Sequence, residues 1–287
     1  RNMDLSTYKN VAITGWFDAE DGEGDSLTFQ LTSTPARGAV TVAEDGSSQF
    51  VYTPYENKTG KDSFTYVAVD PAGNVSPEAK VSIQIEKPDT KVTYADMEGN
   101  PAHKASIRLA EEGIFVGSYV NGSYFFDPDQ PVSRAEFLTM AMAATGLEPL
   151  EDVTLTGFYD DEAIPTWAKA YAAAGVADGI IQGVSTAEGV AFQGDEPITF
   201  NEAATVLNRV LAVEDVDLAS WYADREAVPS WAAQAVGNME AVSVLAAGSF
   251  GSAAMGETVT RADAAQMLSA AGTLLEGEPA GLFDWLL

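Results

Sequence analysis

After residue 90 the chain repeats itself three times. An aromatic-x-Asp segment recurs as Tyr94-Ala95-Asp96, Phe158-Tyr159-Asp160 and Tyr222-Ala223-Asp224, and the aspartates stand 64 residues apart both times. Self-similarity at a fixed period means stacked supersecondary units, none of which buries its apolar face alone. Each copy continues through a helical stretch, a Gly-rich turn and a second helix opening with Ser or Thr. In the first copy these are Gly113-Ile114-Phe115-Val116-Gly117 and Ser133-Arg134-Ala135-Glu136. In the second they are Gly179-Ile180-Ile181-Gln182-Gly183 and Thr199-Phe200-Asn201-Glu202. The third is worn, with Ser243-Val244-Leu245-Ala246-Ala247-Gly248 and Thr260-Arg261-Ala262-Asp263.

Helix initiation explains most of this motif. Ser133 with Glu136, Thr199 with Glu202 and Thr260 with Asp263 each place a hydroxyl at the N-cap and a carboxylate three residues on, a capping box. Apolar residues follow at helical spacing, Phe137, Met140, Ala141 and Ala144 in the first copy and Ala203, Val206, Leu207, Val210 and Leu211 in the second. The arginine is not explained this way. A cation at the first helical position gains nothing from a macrodipole that favours anions there. Residues 91–287 hold 8 Lys and Arg against 29 Asp and Glu, so cations are scarce. An Arg beside free helix-start N–H groups suits a carboxylate or phosphate, which its planar fork grips bidentately. In the second copy Phe200 takes that place.

The triplet resembles the S-layer homology family, the wall-anchoring modules of bacterial surface proteins, over about the last two-thirds of the chain. The resemblance implies helical repeats at 93–153, 154–217 and 218–275 closed into a pseudo-threefold bundle, with ligand grooves between neighbouring copies. It also implies the ligand, a pyruvylated secondary cell-wall polysaccharide associated with peptidoglycan, whose ketal carboxylate the motif Arg contacts. Carried over by position, Arg134 and Arg261 are the anion-binding candidates. At Phe200 ketal binding is lost or replaced by stacking on a sugar face, and Asn201 stands where the family has Ala. Gly117 and Gly183 close turns that let a ligand approach the backbone, although turn geometry alone explains them as well. Trp167 and Trp231 each follow the repeated aspartate by seven residues. They are candidate sugar platforms, yet a Trp at a repeated helix position more often packs between helices. Their helices are expected to run from Trp167 to Asp178 and to start at Trp231.

Residues 1–87 read as an antiparallel β-sandwich. Apolar and polar residues alternate in Leu27–Leu31, Phe64–Val69 and Val81–Ile85, between turn clusters such as Asp45-Gly46. The segments Gly24–Phe29, Tyr52-Thr53-Pro54 and Gly60–Tyr66 resemble the bacterial Ig-like/cadherin-like repeats of surface proteins. Their usual first strand is expected to be clipped, since few residues precede Tyr8. Asp18, Asp21 and Asp25 lie in an acidic loop with Glu20 and Glu23. Calcium binding is one reading, but a solvated loop is preferred because EF-hand spacing is absent. Residues 88–92 form a linker, and 276–287 a tail whose apolar Gly281–Leu287 end suits docking on the bundle or on a partner.

The fold class is therefore β plus α in separate domains. With no Cys, thiol chemistry and disulfides are excluded. A net charge of −28 argues against nucleic acid, and no apolar run reaches membrane-spanning length. The opening Arg1-Asn2 reads as a mature or trimmed chain from which any signal peptide is gone. His103 is the single histidine, no two carboxylates are singled out as a catalytic pair, and no enzyme activity or cofactor is expected. The expected function is non-covalent attachment to the wall at the bacterial cell surface (S-layer), with the β domain as spacer or display module. The alternative is a structural or protein-interaction scaffold built from degenerate repeats.

Overall fold

A computed structural model describes residues 1–277, which divide into two compact units. The first comprises Arg1–Glu111 with Tyr119–Phe125, and the second Glu112–Ser118 with the described residues from Phe126 onward.

The first unit holds β1 (Met3–Tyr8), β2 (Ile13–Trp16), β3 (Thr28–Ser33), β4 (Gly38–Val42), β5 (Gln49–Pro54), β6 (Gly60–Val69) and β7 (Ala79–Glu86). They form sheets of order β1-β7-β6-β3 and β2-β5-β4. The alternation seen in the sequence puts Phe64 and Tyr66 of β6, and Val81, Ile83 and Ile85 of β7, into one buried cluster with Phe17, Phe50 and Tyr52. The first strand is not clipped. β1 lies parallel to β7, from Met3 opposite Val81 to Tyr8 opposite Glu86. The sheet is thus mixed rather than wholly antiparallel. A parallel partner must be reached by a long connection, and here it is the last strand of the domain, so no local turn signal announces it.

Asp62, within the Gly60–Tyr66 motif, ties the loop between β3 and β4 to β5 and β6. Its carboxylate accepts from the amides of Ala36 (2.8 Å) and Arg37 (2.9 Å) and from the Tyr52 hydroxyl (2.7 Å). Burial opposes its ionisation, but these hydrogen bonds prevail and hold its carboxyl below the usual carboxylate value. The segment after β7 is tied to the same unit. The Asp89 amide donates to Glu111 Oε1 (2.5 Å), and the Tyr8 hydroxyl to Glu111 Oε2 (2.7 Å), at the end of α1 (His103–Glu111). Val92 is buried. Residues 88–92, expected as a linker, therefore carry fixed contacts within this unit.

The second unit is helical, with α2 (Arg134–Ala144), α3 (Thr166–Ala177), α4 (Phe200–Leu211), α5 (Leu218–Trp221), α6 (Ala233–Ala241) and α7 (Arg261–Leu275). α3 begins one residue before Trp167, while Trp231 sits in the turn ahead of α6 rather than at its start. All three capping boxes form, at α2, α4 and α7. These three helices pack on one another, with α3 against α2 and α6 against α4. Just before each of the three helices the backbone joins its counterparts in a closed ring. Val132 N–H donates to Val259 O (2.9 Å), Val259 N–H to Ile198 O (2.9 Å) and Ile198 N–H to Val132 O (3.0 Å). A second ring uses the first amide of each helix, which has no partner inside its own helix. Arg134 N–H donates to Glu196 O, Phe200 N–H to Glu257 O and Arg261 N–H to Gln130 O, at 2.9, 3.2 and 2.9 Å. Each acceptor lies four residues before the next copy's first helical residue. Among the described residues no helix is long and apolar enough to cross a membrane. The Gly281–Leu287 segment lies outside the described residues.

Candidate functional site

A cavity of about 320 Å³ opens within the helical unit and takes residues from all three copies. Arg134 and Leu138 come from α2, Gln182 and Gly183 from the second Gly-rich turn, Glu202 and Arg209 from α4, and Trp231 from the third copy.

The repeated turn shapes the wall. Gly113 and Gly179 both have φ of 71°, and Gly117 and Gly183 both 77°, so the first two copies match in backbone as well as sequence. Ser243 takes the first-glycine position in the third copy and is held at φ 59° despite its Cβ. A Cβ on Gly183 would come within 2.6 Å of the Phe158 ring and 2.8 Å of Ala191 O. That glycine is therefore required by packing inside its own copy, in addition to any approach a ligand makes to its backbone. Asp160, the repeated aspartate of the second copy, is likewise structural here. It accepts from the amides of Phe192 (2.7 Å) and Gln193 (2.8 Å) and so fixes the strand end that Arg134 of the first copy meets.

Arg134 is already engaged. Its Nε donates to Phe192 O (3.2 Å) and its Nη1 to Glu202 Oε1 (2.5 Å), and its side chain is 15 % exposed. The other oxygen of Glu202 accepts the Thr199 amide (2.9 Å), so one carboxylate closes its own capping box and pairs with the neighbouring copy's arginine. The reading that left this arginine without a structural role is corrected, because its partner sits 68 residues away and is brought near only when the ring closes. Arg261 serves a related purpose differently. Its Nη1 donates to Phe126 O (3.1 Å) and Asp127 Oδ2 (3.3 Å), and its guanidinium lies over the Phe115 ring at 5.0 Å. Arg261, Phe200, Trp167 and Gly117 do not line this cavity. Phe200 is half-buried, and the Oδ1 of the adjacent buried Asn201 has no hydrogen-bond partner.

Arg209 escaped the reading of the sequence. It is exposed, donates to Ile180 O (2.9 Å) and has no carboxylate partner among the described residues. It follows Glu202 by seven residues and Thr205 by four, one face of α4, so helical spacing from the capping glutamate does point to it. The tryptophans correct the packed reading. Trp231 is 59 % and Trp167 51 % exposed, so neither is buried between helices. The three carboxylates considered for calcium are not gathered round one point. Asp18 and Glu20 meet the Arg1 guanidinium at 3.5 and 2.8 Å, and Asp21 accepts from the amides of Glu23 (2.8 Å) and Asp25 (3.1 Å). Among the described residues no group of three or more His, Asp or Glu side chains could hold a metal ion.

Comparison with known proteins bears on the two units unequally. The family described as "Bacterial cadherin-like domain" matches residues 2–87, the span from β1 to the end of β7. Residues 2–87 hold a bacterial cadherin-like domain. Over 131 residues the chain is 33 % identical to the "Surface-layer 125 kDa protein" of Lysinibacillus sphaericus, a stretch covering 46 % of this chain and 10 % of that protein. The chain thus spans about a tenth of that relative's length. Similar solved structures include an endo-fucoidan hydrolase of glycoside hydrolase family 107, at 24 % identity over 30 % of this chain and 13 % of that one, TM-score 0.26. Another is an SrpA adhesin mutant from Streptococcus sanguinis, at 18 % identity over 41 % and 81 %, TM-score 0.25. Scores this low carry no weight for the fold. The cadherin-like domain and the surface-layer relative fit a location at the bacterial cell surface.

Proposed function

We propose that the chain belongs to a cell-surface protein held non-covalently to an anionic wall polysaccharide. The helical repeats, read as a degenerate S-layer homology triplet, bind the polymer, and the cadherin-like domain acts as spacer or display module. One observation carries the reading. In a region with 21 more acidic than basic side chains, one cavity collects two arginines and an exposed tryptophan. A cation beside an aromatic face suits a sugar that bears a carboxylate, because the ring covers the apolar face of the sugar while the guanidinium takes the charge. Arg209, free of carboxylates, contacts the anion, and Arg134 keeps the groove in shape through Glu202. The chain performs no catalysis in this reading.

The test is retention of the whole chain on purified wall sacculi, before and after chemical removal of pyruvyl groups. Binding that disappears with the pyruvyl groups supports the reading, and equal retention on both rejects a carboxylate ligand. A second reading, a scaffold without wall binding, is favoured by the engagement of Arg134 and Arg261 inside the unit. It takes precedence if no retention occurs on untreated sacculi.

A further inference from the structure

The first unit has a concavity of about 720 Å³ whose lining is opposite in charge to the molecule as a whole. Lys9, Lys87 and Lys91, three of the eight lysines in the chain, line it together with His103. Glu98 is the one carboxylate in the lining. Among the described residues none of the three lysines forms an ion pair, although acidic side chains outnumber basic ones 43 to 15. Lysines without partners, converging from the end of β1 and from the segment after β7, are hard to explain by stability. Their mutual repulsion is relieved when an anion enters.

We propose that this concavity binds a saccharide carrying a phosphate group. Lysine ammonium groups are compact point charges that bind phosphate oxygens from any direction, and among the described residues the lining holds no arginine fork to orient a planar carboxylate bidentately. The volume falls in the range of pockets that enclose whole small molecules, about 300–1,000 Å³, far more than a bare phosphate fills. The rest of the lining suits a sugar. Asn10 and Asn57 are fixed to each other, Asn57 N–H donating to Asn10 Oδ1 at 2.7 Å, and they join Thr90 and Thr93 as polar groups around an apolar floor that includes Val92. The surrounding negative charge works against long polyanions and leaves room for a singly phosphorylated ligand. The site is separate from the groove at Arg209 and does not rest on the wall-binding reading.

The test is calorimetric titration of the whole chain with glucose 6-phosphate, glucuronate, glucose and inorganic phosphate at low and moderate salt. The expected result is that glucose 6-phosphate binds at least tenfold tighter than the other three, and more weakly as salt rises. The triple variant Lys9→Gln, Lys87→Gln, Lys91→Gln is expected to lose at least tenfold in affinity. A control with the same charge change, Lys58→Gln, Lys61→Gln, Lys80→Gln, is expected to bind as the parent does. Equal losses in the two triple variants would reduce the effect to net charge and overturn the proposal. So would loss of binding in Arg209→Gln, which would move the site to the other groove. Inorganic phosphate binding as tightly as the sugar phosphate would remove the saccharide, and glucuronate doing so would remove the phosphate.

Discussion

The junction between the first and second copies and the junction between the third and first use the same sequence position in different ways. Arg134 and Arg261 each start a helix, each donate to the carbonyl of a phenylalanine in the next copy, and each are 15 % exposed in their side chains. Beyond that they diverge. Arg134 pairs with Glu202, itself part of a capping box, in a sheltered place. Arg261 pairs with Asp127, whose side chain is 47 % exposed, and rests on the Phe115 ring. At the third junction Phe200 stands in the arginine's position. A repeated residue thus fixes where a side chain starts, while its partner is set by the neighbouring copy.

The comparison is broken most severely at Glu202. Glu202→Ala removes a cap and leaves the Arg134 guanidinium without its carboxylate, and is expected to destabilise the helical unit by about 2–4 kcal/mol. Thermal unfolding followed by circular dichroism measures this, and a loss as small as that for an exposed cap would show that the pair contributes little. Next in size is the contrast between the arginines. Arg134→Ala should cost about 1–3 kcal/mol and Arg261→Ala about 0.5–1 kcal/mol, the scale of a partly exposed pair with a cation–π contact. Equal costs would erase the difference between the junctions.

Two smaller effects sharpen it. Asn201, beside Phe200, buries an amide oxygen with no partner. Asn201→Ala should therefore raise stability by about 0.5–1 kcal/mol, and a lower melting temperature would mean that its packing outweighs the unmet hydrogen bond. Within the second copy, Lys169 and Thr156 hydrogen-bond to Asp161 and bring its carboxyl from 3.8 down to about 2. A lowered value means that the contribution is complete above the ordinary carboxylate range and is lost as pH falls through about 2. The start of α3 should accordingly loosen below pH 4, and Lys169→Met should reduce that pH dependence in amide exchange while the Thr156 hydrogen bonds keep part of it.

Much of this was legible locally. The capping boxes, the β6 and β7 alternation and the Gly-rich turns all rest on residues close in the chain, where spacing alone fixes the geometry. β1 was not legible, because it pairs with a strand 78 residues later. The bond from Arg134 to Glu202 was hidden for the same reason, since it forms only once the backbone ring through Val132, Ile198 and Val259 is closed. The exposure of Trp167 and Trp231 was misread for a different cause. A repeated position says that its environments are alike without saying whether they are core or surface. Arg209 was within reach, being seven residues beyond Glu202 on the same helical face.

The central claim is that the groove lined by Arg209 and Trp231 holds an anionic wall polymer. The most direct test is the affinity of Arg209→Gln for untreated sacculi, measured beside its melting temperature. The account predicts binding weakened about tenfold, equivalent to about 1.4 kcal/mol, with the melting temperature nearly unchanged. Full-strength binding by a folded Arg209→Gln protein would contradict it.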